Sequence, residues 1–144
     1  MNVPVLIVED EGLIQLLLHE TLTEAGFDVA AAGNGKDGFA MLDKEEADYR
    51  ALITDVNLPG KITSWDIAKH AREVNDTLPV IYVTGASAHD WASKGVPNSI
   101  LIPKPFAPAQ IITAVSQLLN AASAVFWLMA IPHQGCEAIY YWAS

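Results

Sequence analysis

The chain predicts an α/β fold built on a five-stranded parallel sheet, and two observations carry that prediction. Short apolar or β-branched runs alternate with stretches in which apolar residues recur at helical spacing, and four of the five runs stop directly at polar residues. A length of 144 residues, 51% of them hydrophobic, suits one domain with a respectable core.

Val3-Pro4-Val5-Leu6-Ile7-Val8 reads as the first strand and runs into Glu9-Asp10-Glu11-Gly12. Over residues 13–25 the apolar positions Ile14, Leu17, Leu18, Leu22 and Ala25 predict a helix that Gly26 stops. A second strand covers residues 27–32, and Asn34-Gly35 opens a short helix with Phe39, Ala40 and Leu42. The third strand, Ala51-Leu52-Ile53-Thr54, drives into Asp55 and the turn Pro59-Gly60. Ser64 is the expected N-cap of a helix carrying Ile67, Ala68, Ala71 and Val74. Residues 79–83 form the fourth strand, ending at Thr84-Gly85, and a weaker helix spans 87–94. The fifth strand, Ser99-Ile100-Leu101-Ile102, ends at Pro103-Lys104-Pro105-Phe106. Pro108 then opens a last helix with Ile111, Ile112, Val115, Leu118 and Leu119 apolar.

Composition narrows the function classes. A formal charge of -9, from 8 Lys+Arg against 17 Asp+Glu, argues against phosphate backbones and anionic lipid as direct partners. The single cysteine, Cys136, rules out an internal disulfide framework or a Cys-rich metal site. With no signal-like amino terminus and no apolar run of membrane-spanning length, the expectation is a cytoplasmic protein.

Parallel strands joined by right-handed crossovers send all their carboxyl ends to one edge, where open α/β sheets bind their ligands. Glu9-Asp10, Asp55, Thr84 and Lys104 all leave strands at that edge. Gathered carboxylates repel one another and call for a cation. An all-oxygen donor set with open positions suits Mg²⁺. With Lys104 as a mobile charge and Thr84 as a hydroxyl donor, the set supplies a nucleophile, a metal and two donors, which are the parts of phosphoryl transfer.

These residues resemble a receiver domain of a two-component response regulator over residues 3–120. The resemblance lies in Val8-Glu9-Asp10-Glu11, Asp55-Val56-Asn57-Leu58-Pro59-Gly60, Thr84-Gly85 and Lys104-Pro105-Phe106. It implies a flavodoxin-like doubly wound sheet of five strands in the order 2-1-3-4-5, with five helices in three layers. It further implies that Asp55 accepts phosphate from a histidine kinase or a histidine phosphotransfer protein. Asp10, Asp55 and the Asn57 carbonyl would hold Mg²⁺, with Glu9 acting mostly through water. Thr84 would bind a phosphoryl oxygen, Lys104 would pair with the acceptor or its phosphate, and the peptide before Pro105 would be cis.

The chain departs from the family pattern at Leu101, three before Lys104, where a switch aromatic is usual. After Pro59 the loop Gly60-Lys61-Ile62-Thr63-Ser64 is one residue longer than in the shortest members, and it has Ser64 where glycine commonly precedes the helix. Gly85 leaves room for an incoming donor. His19, His70, His89 and His133 share no metal-ligand spacing and read as ordinary surface histidines. Glu45, Glu46 and Asp48 read as a solvated face, and Trp65 and Trp91 as packing residues.

Residues 1–120 are thus expected to form the receiver and residues 121–144 an apolar tail. The tail carries Phe126, Trp127, Leu128, Met129, Tyr140, Tyr141 and Trp142, and Glu137 is its only charged side chain. It is too short for a DNA-binding or enzymatic output domain, so the expectation is a stand-alone receiver that signals through protein contacts and catalyses only its own phosphorylation and dephosphorylation. The tail could also mediate a homodimer contact. Two rivals are a phosphoaspartate hydrolase, which would need an acid where Asn57 stands, and a pseudo-receiver that never takes phosphate. Intact Asp10, Asp55, Thr84 and Lys104 disfavour the second.

Overall fold

The computed structural model describes residues 3–86, 88–123 and 140–142. In chain order the elements are β1 (Val3–Val8), α1 (Gly12–Glu24), β2 (Phe27–Ala32), α2 (Gly35–Leu42), β3 (Ala51–Asp55), α3 (Ser64–Val74), β4 (Val80–Thr84), α4 (Ala88–Lys94), β5 (Ser99–Pro103), α5 (Pro108–Ser123) and β6 (Tyr140–Trp142). Strands β2-β1-β3-β4-β5 lie side by side and parallel in the expected order. β6 is an addition to that plan and pairs antiparallel with β5, Ile100 opposite Tyr141. Residues 121–123 of the expected tail continue α5, and residues 124–139 and 143–144, including His133 and Cys136, lie outside the described residues. Among the described residues, no helix is long and apolar enough to cross a membrane.

The strands read as nearly continuous apolar runs because both sheet faces are covered. On one face Val5, Ile7, Ile53, Ile81, Val83, Ile100 and Ile102 pack with Leu18 and Leu22 of α1 and Ile111, Ala114, Val115 and Leu118 of α5. On the other, Leu6, Val8, Leu52, Val80, Tyr82 and Leu101 meet Leu42 of α2, Ile67, Ala68 and Ala71 of α3, and Trp91. Alternate residues of one strand thus serve opposite layers, the period-two consequence of the pleat. Each fully buried Leu, Ile or Val contributes about 1.5–3 kcal/mol, so these two layers hold most of the fold's favourable energy.

Helix ends follow local chemistry, with one correction. Thr63, not Ser64, caps α3: its hydroxyl accepts the Asp66 N–H at 3.2 Å while the Asp66 carboxylate accepts the Thr63 N–H at 3.0 Å. Ser64 is instead buried and donates its hydroxyl to the Val56 carbonyl at 3.2 Å, pinning the start of α3 to the residue after Asp55. Asn34 caps α2 by accepting the Asp37 N–H at 2.8 Å. Gly26, at φ +96°, takes the left-handed conformation that ends α1 at low steric cost.

The α1 stripe is narrower than expected. Leu18 and Leu22 are buried, but Leu17 is 39% exposed, and Leu13 and Leu16 are exposed too. Because Leu16, Leu17 and Leu18 are consecutive, about 100° apart around the helix, only one of them can face the sheet. His70 makes a more specific contact than a surface histidine would: it stacks on Phe39 with ring centroids 3.9 Å apart and meets Asp43 at 2.6 Å, joining α3 to α2. His19 and His89 are exposed, as expected. Trp91 packs against the sheet, with its indole N–H donating to Ser99 Oγ at 2.9 Å, and Trp65 tilts against Tyr82.

Candidate functional site

The carboxyl ends of β1, β3, β4 and β5 open on one edge, and backbone bonds hold those exits in place. The Glu9 N–H donates to the Ala32 carbonyl at 3.0 Å, and Gln15 Nε2 donates to the Glu9 carbonyl at 2.9 Å, so α1 clamps the exit of β1. The Val56 N–H donates to Val83 at 3.0 Å and the Lys104 N–H to Thr84 at 2.7 Å, tying β3 to β4 and β4 to β5. The Lys104–Pro105 peptide is cis.

Asp55 ends β3 and is 4% exposed. Its Oδ1 accepts the Asn57 N–H at 3.1 Å, and its Oδ2 accepts from Lys104 Nζ at 3.3 Å. Lys104 Nζ also lies 3.2 Å from Glu9 Oε1 and 3.5 Å from Glu11 Oε1. The contact with Glu9 has ion-pair distance without hydrogen-bonding geometry, which leaves the buried Glu9 Oε1 without a hydrogen-bond partner. Ligand atoms of Glu9, Glu11 and Asp55 all lie within 4.8 Å of one another. Three carboxylates therefore face one ammonium, a deficit of positive charge that an oxygen-liganded cation would offset.

Titration behaviour follows from this crowding. Burial pushes the Glu9 carboxyl up to about 7, helped by its side-chain contact with Asp55 and opposed by the Glu11 N–H and Lys104. For Lys104, burial works against the charged form, but the Asp55 and Glu9 charges outweigh it, so its ammonium titrates above the usual lysine range.

Of the expected site residues, the structure gathers Glu9, Asp55 and Lys104 into direct contact. Thr84 stands one residue beyond the Asp55–Val83 pair, 2% exposed, with its hydroxyl accepting the Ala86 N–H at 3.2 Å. Asn57 is exposed, and its backbone N–H donates to Asp55 Oδ1. Asp10 is exposed and outside the close group of carboxylates. Two further participants are Glu11, which the sequence reading named within the acidic run but gave no role, and Gln15, which nothing in the sequence marks. Beside the site, Asn34, Lys36, Pro59, Gly60, Lys61 and Ile62 line an open cavity of about 680 Å³. None of the clustered carboxylates faces it.

A doubly wound parallel sheet in the strand order 2-1-3-4-5 defines the flavodoxin-like class of α/β folds, and here carboxylates and a lysine gather at its carboxyl edge. The chain belongs to the response regulator receiver domain family, whose model matches residues 5–116. It is 36% identical over 123 residues to the transcriptional regulatory protein CusR of Escherichia coli (strain K12), covering 83% of this chain and 52% of CusR. It is 34% identical to the probable transcriptional regulatory protein SilR of Salmonella typhimurium, covering 81% of this chain and 50% of SilR. The chain thus spans about half the length of these curated relatives. The crystal structure of a response regulator receiver protein from Sinorhizobium medicae superposes with a TM-score of 0.81 at 43% identity, covering 84% of this chain and 97% of that one.

Proposed function

We propose that this receiver is a phosphoacceptor: Asp55 takes a phosphoryl group from a histidine kinase or a histidine phosphotransfer protein, and the phosphorylated domain signals through protein contacts. The observation that carries the reading is the convergence of Lys104 on Asp55 and Glu9, with Asp55 Oδ1 held by the Asn57 N–H. In the step itself, an Asp55 carboxylate oxygen forms a bond to phosphorus as the bond from phosphorus to the donor's imidazole nitrogen breaks. The imidazole leaves with that electron pair. Lys104 orients the acceptor and neutralises charge beside it, and the Thr84 hydroxyl would donate to a phosphoryl oxygen.

The clustered oxygens of Glu9, Glu11 and Asp55 fit Mg²⁺, since the set is all oxygen, short of positive charge, and includes a buried carboxylate oxygen lacking a hydrogen-bond partner. Asp55 and the Asn57 carbonyl would hold the ion, with Glu9 reached through water, and Asp10, outside the close group in this structure, would complete the set by turning toward it. When bound, it supplies positive charge to the transferring phosphoryl oxygens. The chain catalyses only its own phosphorylation and dephosphorylation in this reading. It acts in the cytoplasm, and its charge of -9 disfavours direct nucleic-acid contact by this domain.

Intact-protein mass spectrometry after incubation with a small phosphodonor and Mg²⁺ tests the proposal. One added phosphoryl group is expected, lost in Asp55→Asn and in excess chelator. Full labelling of Asp55→Asn would move the acceptor elsewhere, and no labelling of the wild type would favour a receiver that works without phosphate.

A further inference from the structure

We infer that Glu11 is a specificity residue of this site: it shares Lys104 with the acceptor and weighs against phosphodonors of higher negative charge. The inference rests on the phosphoacceptor reading of Asp55. Three observations lead to it. Glu11 occupies the N-cap position of α1, yet its side chain makes no capping bond; its Oε1 instead lies 3.5 Å from Lys104 Nζ. Its backbone is fixed, because the Glu11 N–H donates to Oε2 of the buried Glu9 at 3.2 Å. Finally, of the three clustered carboxylates it alone faces solvent, with a side chain 61% exposed against 1% for Glu9 and 4% for Asp55. A donor must reach Asp55 from the solvent side, so among the clustered carboxylates the charge it meets first is that of Glu11.

Two consequences follow. Lys104 is divided among three carboxylates, and removing the Glu11 charge leaves it to Glu9 and Asp55. Beyond that, repulsion at the mouth of the site grows with the donor's charge. Acetyl phosphate is a dianion near neutral pH and loses acetate when the Asp55 oxygen bonds to phosphorus and the P–O bond breaks. Phosphoramidate reacts as a monoanionic zwitterion whose P–N bond breaks to release ammonia, which carries away the protons already on nitrogen. The two donors differ by one negative charge. One charge at roughly 5–7 Å in a water-exposed setting changes relative rates by about threefold to tenfold.

The test compares phosphorylation rates of the full chain with acetyl phosphate and with phosphoramidate in wild type, Glu11→Gln, Glu11→Asp and Glu11→Lys. The ratio of the acetyl phosphate rate to the phosphoramidate rate is expected to rise about threefold to tenfold in Glu11→Gln. It should rise further in Glu11→Lys, return toward wild type in Glu11→Asp, and converge among the variants at high salt. A merely structural role for Glu11 would slow both donors together and leave the ratio alone. An unchanged ratio in Glu11→Gln, with both donors still labelling Asp55, overturns the inference and leaves the phosphoacceptor reading intact. So does a tenfold or greater loss of Mg²⁺ affinity in Glu11→Gln, measured by calorimetry without donor, because Glu11 would then be a metal ligand. Failure of both donors to label wild type overturns both readings.

Discussion

Replacing Glu9 by Gln in metal-free protein should remove a pH dependence of stability that the native site imposes. Glu9 is 1% exposed, and its carboxyl is raised from 4.5 to about 7, chiefly by burial. Between those values the folded chain keeps a proton that the unfolded chain has released. Stability is therefore greatest below about pH 4.5 as far as this group is concerned, and it falls as pH rises toward 7. A shift of roughly 2.5 units corresponds to about 3 kcal/mol, with the favourable charge of Lys104 already contained in it. Gln fills the same space without titrating, while Lys104 keeps Asp55 and Glu11 as partners. Urea denaturation with excess chelator between pH 4.5 and 8 provides the assay. The stability of wild type relative to Glu9→Gln should decline by up to about 1.4 kcal/mol per pH unit within the window and level off above it. Parallel profiles for the two proteins would show that Glu9 titrates normally and that the crowding argument is wrong.

Tyr82→Phe deletes the hydroxyl that accepts the Val96 N–H at 3.1 Å in a buried setting, so thermal denaturation should register a loss of about 1–3 kcal/mol. Gly35→Ala would drive a Cβ into the Ile62 carbonyl of the loop after Asp55. About 1–3 kcal/mol of destabilisation is expected, with faster amide exchange over residues 58–63 as the local sign of that clash. On α1, Leu18→Ala should cost about 2–5 kcal/mol in denaturant titrations, whereas Leu13→Ala at an 85% exposed position should stay within about 0.5 kcal/mol. Equal costs would mean that the helix faces the sheet differently.

The parts of this protein that could be read from its sequence are those where one physical signal acts alone. Apolar runs ending in carboxylates located β1 and β3, and the exits Glu9, Asp55, Thr84 and Lys104 followed from chain order and crossover handedness. Where two candidates compete locally, sequence is a poorer guide. Thr63 and Ser64 are adjacent hydroxyls, and the choice of cap depended on which one the core would bury. In Leu16-Leu17-Leu18 the apolar residues surround the helix, so periodicity cannot say which one meets the sheet. Side-chain reach was also hidden: Glu11 leans on a lysine 93 residues away, and no local pattern records that. Leu101 is the position where the family's aromatic is missing. It lies in register with Tyr82 on the neighbouring strand, a pairing that only strand alignment reveals.

The separation between the acidic exit of β1 and Lys104 has a kinetic meaning. Parallel strands gain nothing until long connections have closed, and β1, second from the edge of the sheet, must find both β2 and β3 before its exit exists. The acidic side of the site is complete once β1 and β3 have paired, but its compensating cation arrives only with the exit of β5. Closing the connections that bring Lys104 to Glu11, 93 residues away, and to Asp55, 49 residues away, is costly in chain entropy, so the ion pairs of Lys104 are predicted to form late in folding. Stabilisation gained that late slows unfolding rather than speeding folding. The contacts that poise the acceptor are then also a latch on the finished sheet, and conditions that screen the ion pairs of Lys104 should shorten the lifetime of the native state while leaving its rate of formation almost unchanged.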